Sequence, residues 1–305
     1  MRVAARPTER FFYGWVIVLV GAVLTFLGTG FYSYSRGVFL PSLAEELAGG
    51  SRFEIAMGFS IAAVTSALVA PFIGGILDKY SPKTVILVGI GFVTGSYLLL
   101  SFCQNLIQFY LIVGIGMGLG MTCMGNLAWH RTIISWFDHW RGRAISLGVL
   151  GASLAGVVMP PLVTSLVEAI GWRSAFVVFA IIVPSILIPL VIYFLKNRPE
   201  EIGEVRDGHV YSEAHKTTEV EDQTESRIWH WKEMIRFPAF WSIGLMFGAM
   251  GCVYSAVMLH LFGHLTDIGL PGSEAAYILS ATALFAALGK PVVGWMSDFF
   301  GARVT

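Results

Sequence analysis

The chain has 305 residues, 55% of them apolar and 13% charged, with a mean hydropathy of +0.70 and a formal net charge of zero. A soluble domain of this size has no interior large enough for so much apolar surface, so lipid is expected to be the solvent for much of it. Cys103, Cys123 and Cys252 lie far apart in or beside apolar stretches, which fits neither a disulfide framework nor a metal site. No nucleophile–base pair or phosphate loop stands at an aqueous place, so no enzyme, no cofactor and no nucleic-acid partner is expected.

In chain order, the N-terminal MRVAARPTER runs straight into an apolar segment without a small-residue cleavage site, so the first span is expected to be retained. Crossing a hydrocarbon core about 30 Å thick takes roughly 20 apolar residues in a helix. Eight segments qualify: 13–35, 54–77, 84–103, 106–129, 144–167, 174–195, 239–263 and 275–297. Residues 196–236 are hydrophilic and rich in Glu, Ser and Thr, which reads as a mobile linker with a short amphipathic helix near Trp229–Ile235. Charge sets the orientation. Sixteen basic residues flank the N-terminus and every second loop, against Arg52 and Arg173 on the other side, so the N-terminus is expected to be cytoplasmic.

An internal repeat divides the chain. Pro71, Gly74, Asp78 and Lys83 close the second span, with Lys79 beside Asp78. Pro291, Gly294, Asp298 and Arg303 close the eighth at a constant offset of 220 residues. Both copies fall at the cytoplasmic end of the second span of a half, as a parallel duplication of six-helix halves would place them. Glycine allows close helix approach, and an Asp at the membrane edge pairs with bases or with a helix N-terminus. An ordinary polar helix end is the plain alternative.

With these motifs the sequence resembles the major facilitator superfamily, whose signature between spans 2 and 3 has the form G-x-x-x-D-R/K-x-G-x-R/K. Here it reads GGILDKYSPK, Gly74 to Lys83, with Ser81 in place of the turn glycine; the second copy, GWMSDFFGAR, keeps Gly301. Tyr13-Gly14-Trp15, Trp136-Phe137 with Arg141-Gly142, Gly171-Trp172-Arg173, His260 and His264 resemble the monocarboxylate-porter and oxalate/formate-antiporter branch. The resemblance implies an all-α membrane protein of the major facilitator fold. It would comprise a complete N-terminal six-helix bundle (11–195), a cytoplasmic linker (196–236) and the first two helices of a C-terminal bundle (237–305). A native protein of twelve spans is implied, with further residues beyond Thr305. A plasma-membrane monomer that transports a small organic anion by alternating access, with a coupling proton or counter-anion, is expected; the alternatives are a carrier of a neutral or cationic solute and a non-transporting membrane receptor or fragment.

Ionisable residues inside the spans are the site candidates. Lys290 lies eight residues before Asp298, about 12 Å along a helix and so near the middle of the core. A lysine there costs roughly 2.5–3.5 kcal/mol on insertion scales, so it calls for an anion or a water-filled cavity. No acid lies within a turn, Ala286 and Gly294 being the i−4 and i+4 neighbours. The missing anion is then the substrate's carboxylate, unless the lysine snorkels or pairs with a distant acid. The resemblance points to the carboxylate. Monocarboxylate porters carry a base before Pro-x-x-Gly in this span, often with a proton-coupling acid one turn earlier, where Ala286 stands here.

Arg36 is about 23 residues beyond Tyr13, at the outer interface by helical rise. It is either a solvated arginine or a second cation lining the cavity mouth. Tyr34, with Phe31 and Tyr32, suits either place. Asn126 and His130 either line the path or bond to a neighbouring helix. His260 and His264 share a helix face without a third metal ligand, so His260 is a substrate or proton-sensing candidate. The early-span-4 arginine common in proton-coupled members is absent from FYLIVGIGMGLG, which favours exchange or facilitated transport. The glycines of that stretch read as helix contacts.

Overall fold

The computed structural model describes residues 12–138, 140–206, 233 and 236–300, without the side chains of residues 29, 31, 291 and 293–300. Seven helices among the described residues are long and apolar enough to cross a bilayer. They are α1 Gly14–Leu47, α2 Arg52–Lys79, α3 Pro82–Ser101, α4 Leu106–Trp136, one 54-residue run Arg141–Phe194, α7 Pro238–Asp267, and α8, which continues as a helix over Gly272–Phe300. The long run would measure about 80 Å if straight. It is divided at Gly171, whose φ of 76° and ψ of 161° are all but restricted to glycine. Residues 141–170 form α5 and 172–194 form α6, so eight spans are present among the described residues, as the apolar segments indicated.

Polar contacts fix which ends lie together. At the Tyr13 end, Arg131 of α4 donates to Asp78 of α2 at 2.6 Å. Lys83 Nζ of α3 donates to the Ile192 carbonyl of α6 at 2.5 Å. At the opposite end, Glu46 accepts from Trp172 Nε1 at 2.6 Å and pairs with Arg173, which also donates to the Cys103 carbonyl at 2.9 Å. The first six helices therefore alternate in direction around a core that includes Trp129, Trp136, Tyr97 and Phe109.

Without a hydrophobic drive between helices in lipid, close approach has to come from small residues. A Cβ on Gly118 would lie 2.9 Å from the Ala62 carbonyl of α2, and one on Gly120 2.9 Å from Val93 N of α3. The glycine run of span 4 is thus a helix contact on two sides. On α5, a Cβ on Gly151 would overlap the Ala22 carbonyl of α1, and Thr25 Oγ1 donates to the Gly148 carbonyl at 2.7 Å.

Several boundaries differ from those read in the sequence. α1 runs on to Leu47, well past residue 35, because its last turn carries the Glu46 that Trp172 and Arg173 engage. α4 reaches Trp136 but is interrupted at Gly125, where φ is −75° and ψ −161°. Residues 196–206, expected to be mobile, fold back on the helices: Trp136 Nε1 donates to the Lys196 carbonyl at 2.9 Å and Tyr13 N to Glu204 at 3.1 Å. These part-buried bonds tie down a stretch whose composition alone could not hold it. The amphipathic helix expected near Trp229–Ile235 lies outside the described residues apart from Glu233.

Ser81, the departure from the turn glycine, has φ −68° and ψ 140° and accepts from Thr84 N at 3.2 Å. It is the N-cap of α3, with Pro82 in the first turn, and so has no need of glycine's left-handed region.

Candidate functional site

α7 and α8 lean on α1 and α5 along a seam. A Cβ on Gly37 of α1 would lie 2.8 Å from the Met258 carbonyl of α7, so these two backbones nearly touch. On α7 the buried side chains are Met258, Leu259, Phe262 and Leu265, whereas every residue from 237 to 254 is exposed. On α8 the buried positions run from Ala275 to Ala283. The described contacts are therefore concentrated at the Arg52 end, where Arg52 also forms a bidentate pair with Asp267, Nη2 to Oδ1 at 2.7 Å. Toward the Tyr13 end, α7 makes no buried contact with the first six helices among the described residues.

Both candidate cations lie in this seam. Lys290, about 27 Å along α8 from Gly272, donates from Nζ to Ser153 Oγ of α5 at 2.5 Å. No carboxylate pairs with Lys290 among the described residues, and Ser153 is fully buried. The snorkelling alternative is not what the side chain does here: it crosses to α5.

Arg36 faces α7. It stands eleven residues, about 16 Å, short of the end of α1. It donates from Nη2 to the Ser255 hydroxyl at 2.6 Å and to the Ser255 carbonyl at 3.0 Å, both on α7. Its guanidinium lies 5.9 Å from the Tyr32 ring centroid and 6.0 Å from that of Phe59, within cation–π range. Arg36 Nε is buried with no acceptor among the described residues, as is the neighbouring Ser35 hydroxyl. Both residues line a cavity of about 30 Å³ with Tyr97 and Phe176, room for a water-sized group and not for an organic acid. An added anion would therefore have to come from the seam side. Just before these residues, α1 makes a π turn over Phe26–Gly30, whose extra residue resets which face the following turns present.

Tyr34, two residues before Arg36, packs against α5, α7 and α8. It is buried, its ring is T-shaped to Tyr254 at 6.4 Å, and it packs with Met258 and Ala283. A Cβ on Gly156, one turn beyond Ser153, would lie 2.6 Å from the Tyr34 ring. Lys290, Ser153, Tyr34, Tyr254, Ser255 and Arg36 thus form one string along the seam.

The remaining candidates lie elsewhere. Asn126 is exposed just past the Gly125 break, and His130 is half-buried beside Trp129 at 5.0 Å between ring centroids. His260 and His264 are exposed, turned from the buried stripe of α7. Among the described residues no group of three His, Cys, Asp or Glu is placed to hold a metal.

In the repeated motif, Asp78 pairs with Arg131 and Lys83 reaches Ile192, while Lys79 is exposed. A Cβ on Gly74 meets nothing within 4 Å, so the close approach expected there is not made among the described residues. Gly294 and Asp298 lie on the α8 backbone with side chains outside the description, and Arg303 is outside the described residues. Since Asp78 and Arg131 are both largely exposed, their pair is worth at most about 1 kcal/mol. Asp78→Asn is expected to lower the unfolding midpoint slightly at low salt and not at 1 M salt, where screening acts within about 3 Å. A salt-independent loss would show that the carboxylate does something other than pair with Arg131.

Ser153 and Ser255 were not singled out in the sequence. A serine inside an apolar span reads as a packing residue, and only the cation opposite distinguishes these two.

Comparison with known proteins agrees with this architecture. Residues 23–305 match the family model described as Major Facilitator Superfamily. The chain is 23% identical over 299 residues to the uncharacterized MFS-type transporter YcxA of Bacillus subtilis, covering 95% of this chain and 66% of that protein. It is 25% identical to the probable L-galactonate transporter of Escherichia coli, covering 93% and 61%. It is also 25% identical to monocarboxylate transporter 13 of Bos taurus, covering 94% and 62%. Among solved structures it resembles a bacterial homologue of the human lysosomal transporter Spinster, crystallised inward-facing and unoccupied. The TM-score is 0.69 at 16% identity, over 98% of this chain and 64% of that one, a likeness of fold. The chain thus spans about two-thirds of the length of these proteins. With eight apolar spans, the motif at Gly74 to Lys83 and a family match over nearly its whole length, this multi-pass membrane protein belongs to the Major Facilitator Superfamily.

Proposed function

We propose that the protein carries a small organic anion, a mono- or dicarboxylate, across the membrane by alternating access, and that Lys290 and Arg36 supply the charge that binds it. One observation carries this reading: two cations are held in the seam between helix groups, and neither pairs with a carboxylate among the described residues. A cation inside the bilayer costs enough that its partner is the first thing to seek, and an anionic substrate is a partner of the right charge. Arg36 Nε, buried without an acceptor, adds an unused donor on the same string. The named similarity to a monocarboxylate transporter and to a probable L-galactonate transporter supports the substrate class. The chemistry is a planar, bidentate acceptor meeting a guanidinium fork and an ammonium.

The basic excess at the Tyr13 end supports a cytoplasmic N-terminus in the plasma membrane. The two halves, 11–195 and the one beginning at 237, would rock about the seam. The Asp78, Lys79 and Lys83 cluster and its repeat at Gly294, Asp298 and Arg303 would help close the cytoplasmic side. Tyr34 forms the wall between the cations, while Asn126 and His260 lie along the path. A monomer suffices, and exchange against a counter-anion suits a site with no acid beside Lys290.

Thermal unfolding of the purified protein with a ligand panel tests the substrate class. Formate, pyruvate, lactate, oxalate, malonate and succinate are compared with their primary amides. At least one carboxylate is expected to raise the midpoint while its amide does not, since only binding to the folded state shifts it. Equal shifts with amides, or stabilisation only by cations, would exclude an anion site.

A further inference from the structure

Two serines bridge the seam in opposite senses. Lys290, on α8, reaches Ser153 on α5; Arg36, on α1, reaches Ser255 on α7. Each cation is therefore held by a hydroxyl of the other helix group. Neither serine is free to drift. Ser153 is fully buried two residues beyond Gly151, where α5 is pressed against the Ala22 carbonyl of α1. Ser255 lies within the α7 segment that meets Gly37 of α1 at Met258. Ser255 offers both its hydroxyl and its carbonyl to one guanidinium nitrogen.

We propose that Ser153 and Ser255 are positioning residues of the anion site, holding Lys290 and Arg36 across the seam and exchanging those bonds for carboxylate oxygens when substrate binds. The proposal rests on the carboxylate reading above. A serine oxygen is a neutral acceptor; a carboxylate oxygen is charged, and hydrogen bonds between two ionised groups are shorter and stronger. Exchange therefore runs toward the anion, and each serine bond that is replaced offsets part of the gain. The serines hold the affinity down while keeping both cations aimed into the seam. The exchange also releases two of the polar contacts joining α7 and α8 to α1 and α5. Anion arrival is thereby tied to the freedom of the two helix groups to move, which a ligand needs if it is to shift a conformational equilibrium.

Equilibrium binding of the tightest-binding carboxylate of the panel, measured on the purified protein, tests this. Ser153→Ala and Ser255→Ala are each expected to lower Kd about three- to tenfold, the scale of one ordinary hydrogen bond's net contribution. Ser153→Thr, which keeps the hydroxyl, should return Kd to within about twofold of the starting protein. In a Lys290→Gln background Ser153→Ala should no longer change Kd, because the two positions act through one bond. A purely structural serine behaves differently: its loss lowers the unfolding midpoint and leaves binding unchanged or weaker. Kd unchanged or raised in both alanine variants overturns the proposal, as does equal tightening with and without Lys290. Should Ser153→Ala fail to fold, the Ser255→Ala arm decides alone. If Lys290→Gln abolishes binding while the serine variants behave as the starting protein, the serine proposal fails and the carboxylate site survives. If no carboxylate binds, or Lys290→Gln binds normally, the carboxylate reading fails and takes the serine proposal with it.

Discussion

Lys290→Ala is expected to lower carboxylate uptake by at least about thirtyfold while the protein still inserts and folds. The lysine sits in the seam with Ser153 as its partner, and an anion brought there would be paired with it in a part-buried place. Removing one member of a buried, hydrogen-bonded charge pair costs about 2–5 kcal/mol, and each 1.4 kcal/mol is a factor of ten. Folding should not suffer, because taking a positive charge out of an apolar span removes an insertion cost. Ser153 then loses its partner, a smaller penalty for a neutral hydroxyl. Uptake by the reconstituted protein, normalised to the folded fraction, measures the effect. Undiminished uptake would remove Lys290 from the site.

Gly151→Val should be the most damaging single change to packing. A Cβ at Gly151 overlaps the Ala22 carbonyl and comes within 2.6 Å of Thr25 Oγ1, whose hydroxyl is already bonded to the Gly148 carbonyl. Overpacking ordinarily costs about 1–3 kcal/mol through side-chain and backbone shifts. Here the obstacle is backbone, which cannot swing aside, so the upper end is expected. α5 must move off α1, and Ser153, two residues on, moves with it. The unfolding midpoint should drop and carboxylate affinity should change with it. Gly91→Ala is the contrast: its Cβ meets nothing within 4 Å, so the midpoint should hold or rise, helix interiors favouring Ala over Gly by roughly 0.5–1 kcal/mol. Equal losses in the two variants would show that the α1–α5 approach is not what limits stability.

Much of the fold was legible because lipid imposes a simple rule on span length and the loops carry their charge on alternate sides. The gap between the fifth and sixth apolar segments, 144–167 and 174–195, contains Gly171, where the long run Arg141–Phe194 turns. Lys290 was legible too, since a lysine deep in an apolar span with no acid one turn away has to find its partner elsewhere. The partner of Arg36 was not legible, because Ser255 lies on α7, 219 residues away. The boundary of α1 was not legible either: the helix continues to Leu47, with a π turn at Phe26–Gly30. The fold-back of 196–206 depends on carbonyls and on Asn197 and Glu204 meeting donors from three other elements, which composition does not encode. Ser153 and Ser255 escaped notice for the same reason: their meaning comes from the residue opposite, on a helix more than 130 positions away for Ser153 and more than 210 for Ser255.

The central claim, a carrier whose seam cations bind a carboxylate, is tested most directly by counterflow in proteoliposomes. Vesicles are loaded with the carboxylate that binds tightest, then diluted into a trace of the same compound carrying a radiolabel. The label is expected to accumulate transiently inside, to do so less when Lys290 or Arg36 is replaced by glutamine, and not to respond to the corresponding amide loaded in its place. Saturable binding without any counterflow, or counterflow of a neutral solute indifferent to both substitutions, would contradict the account.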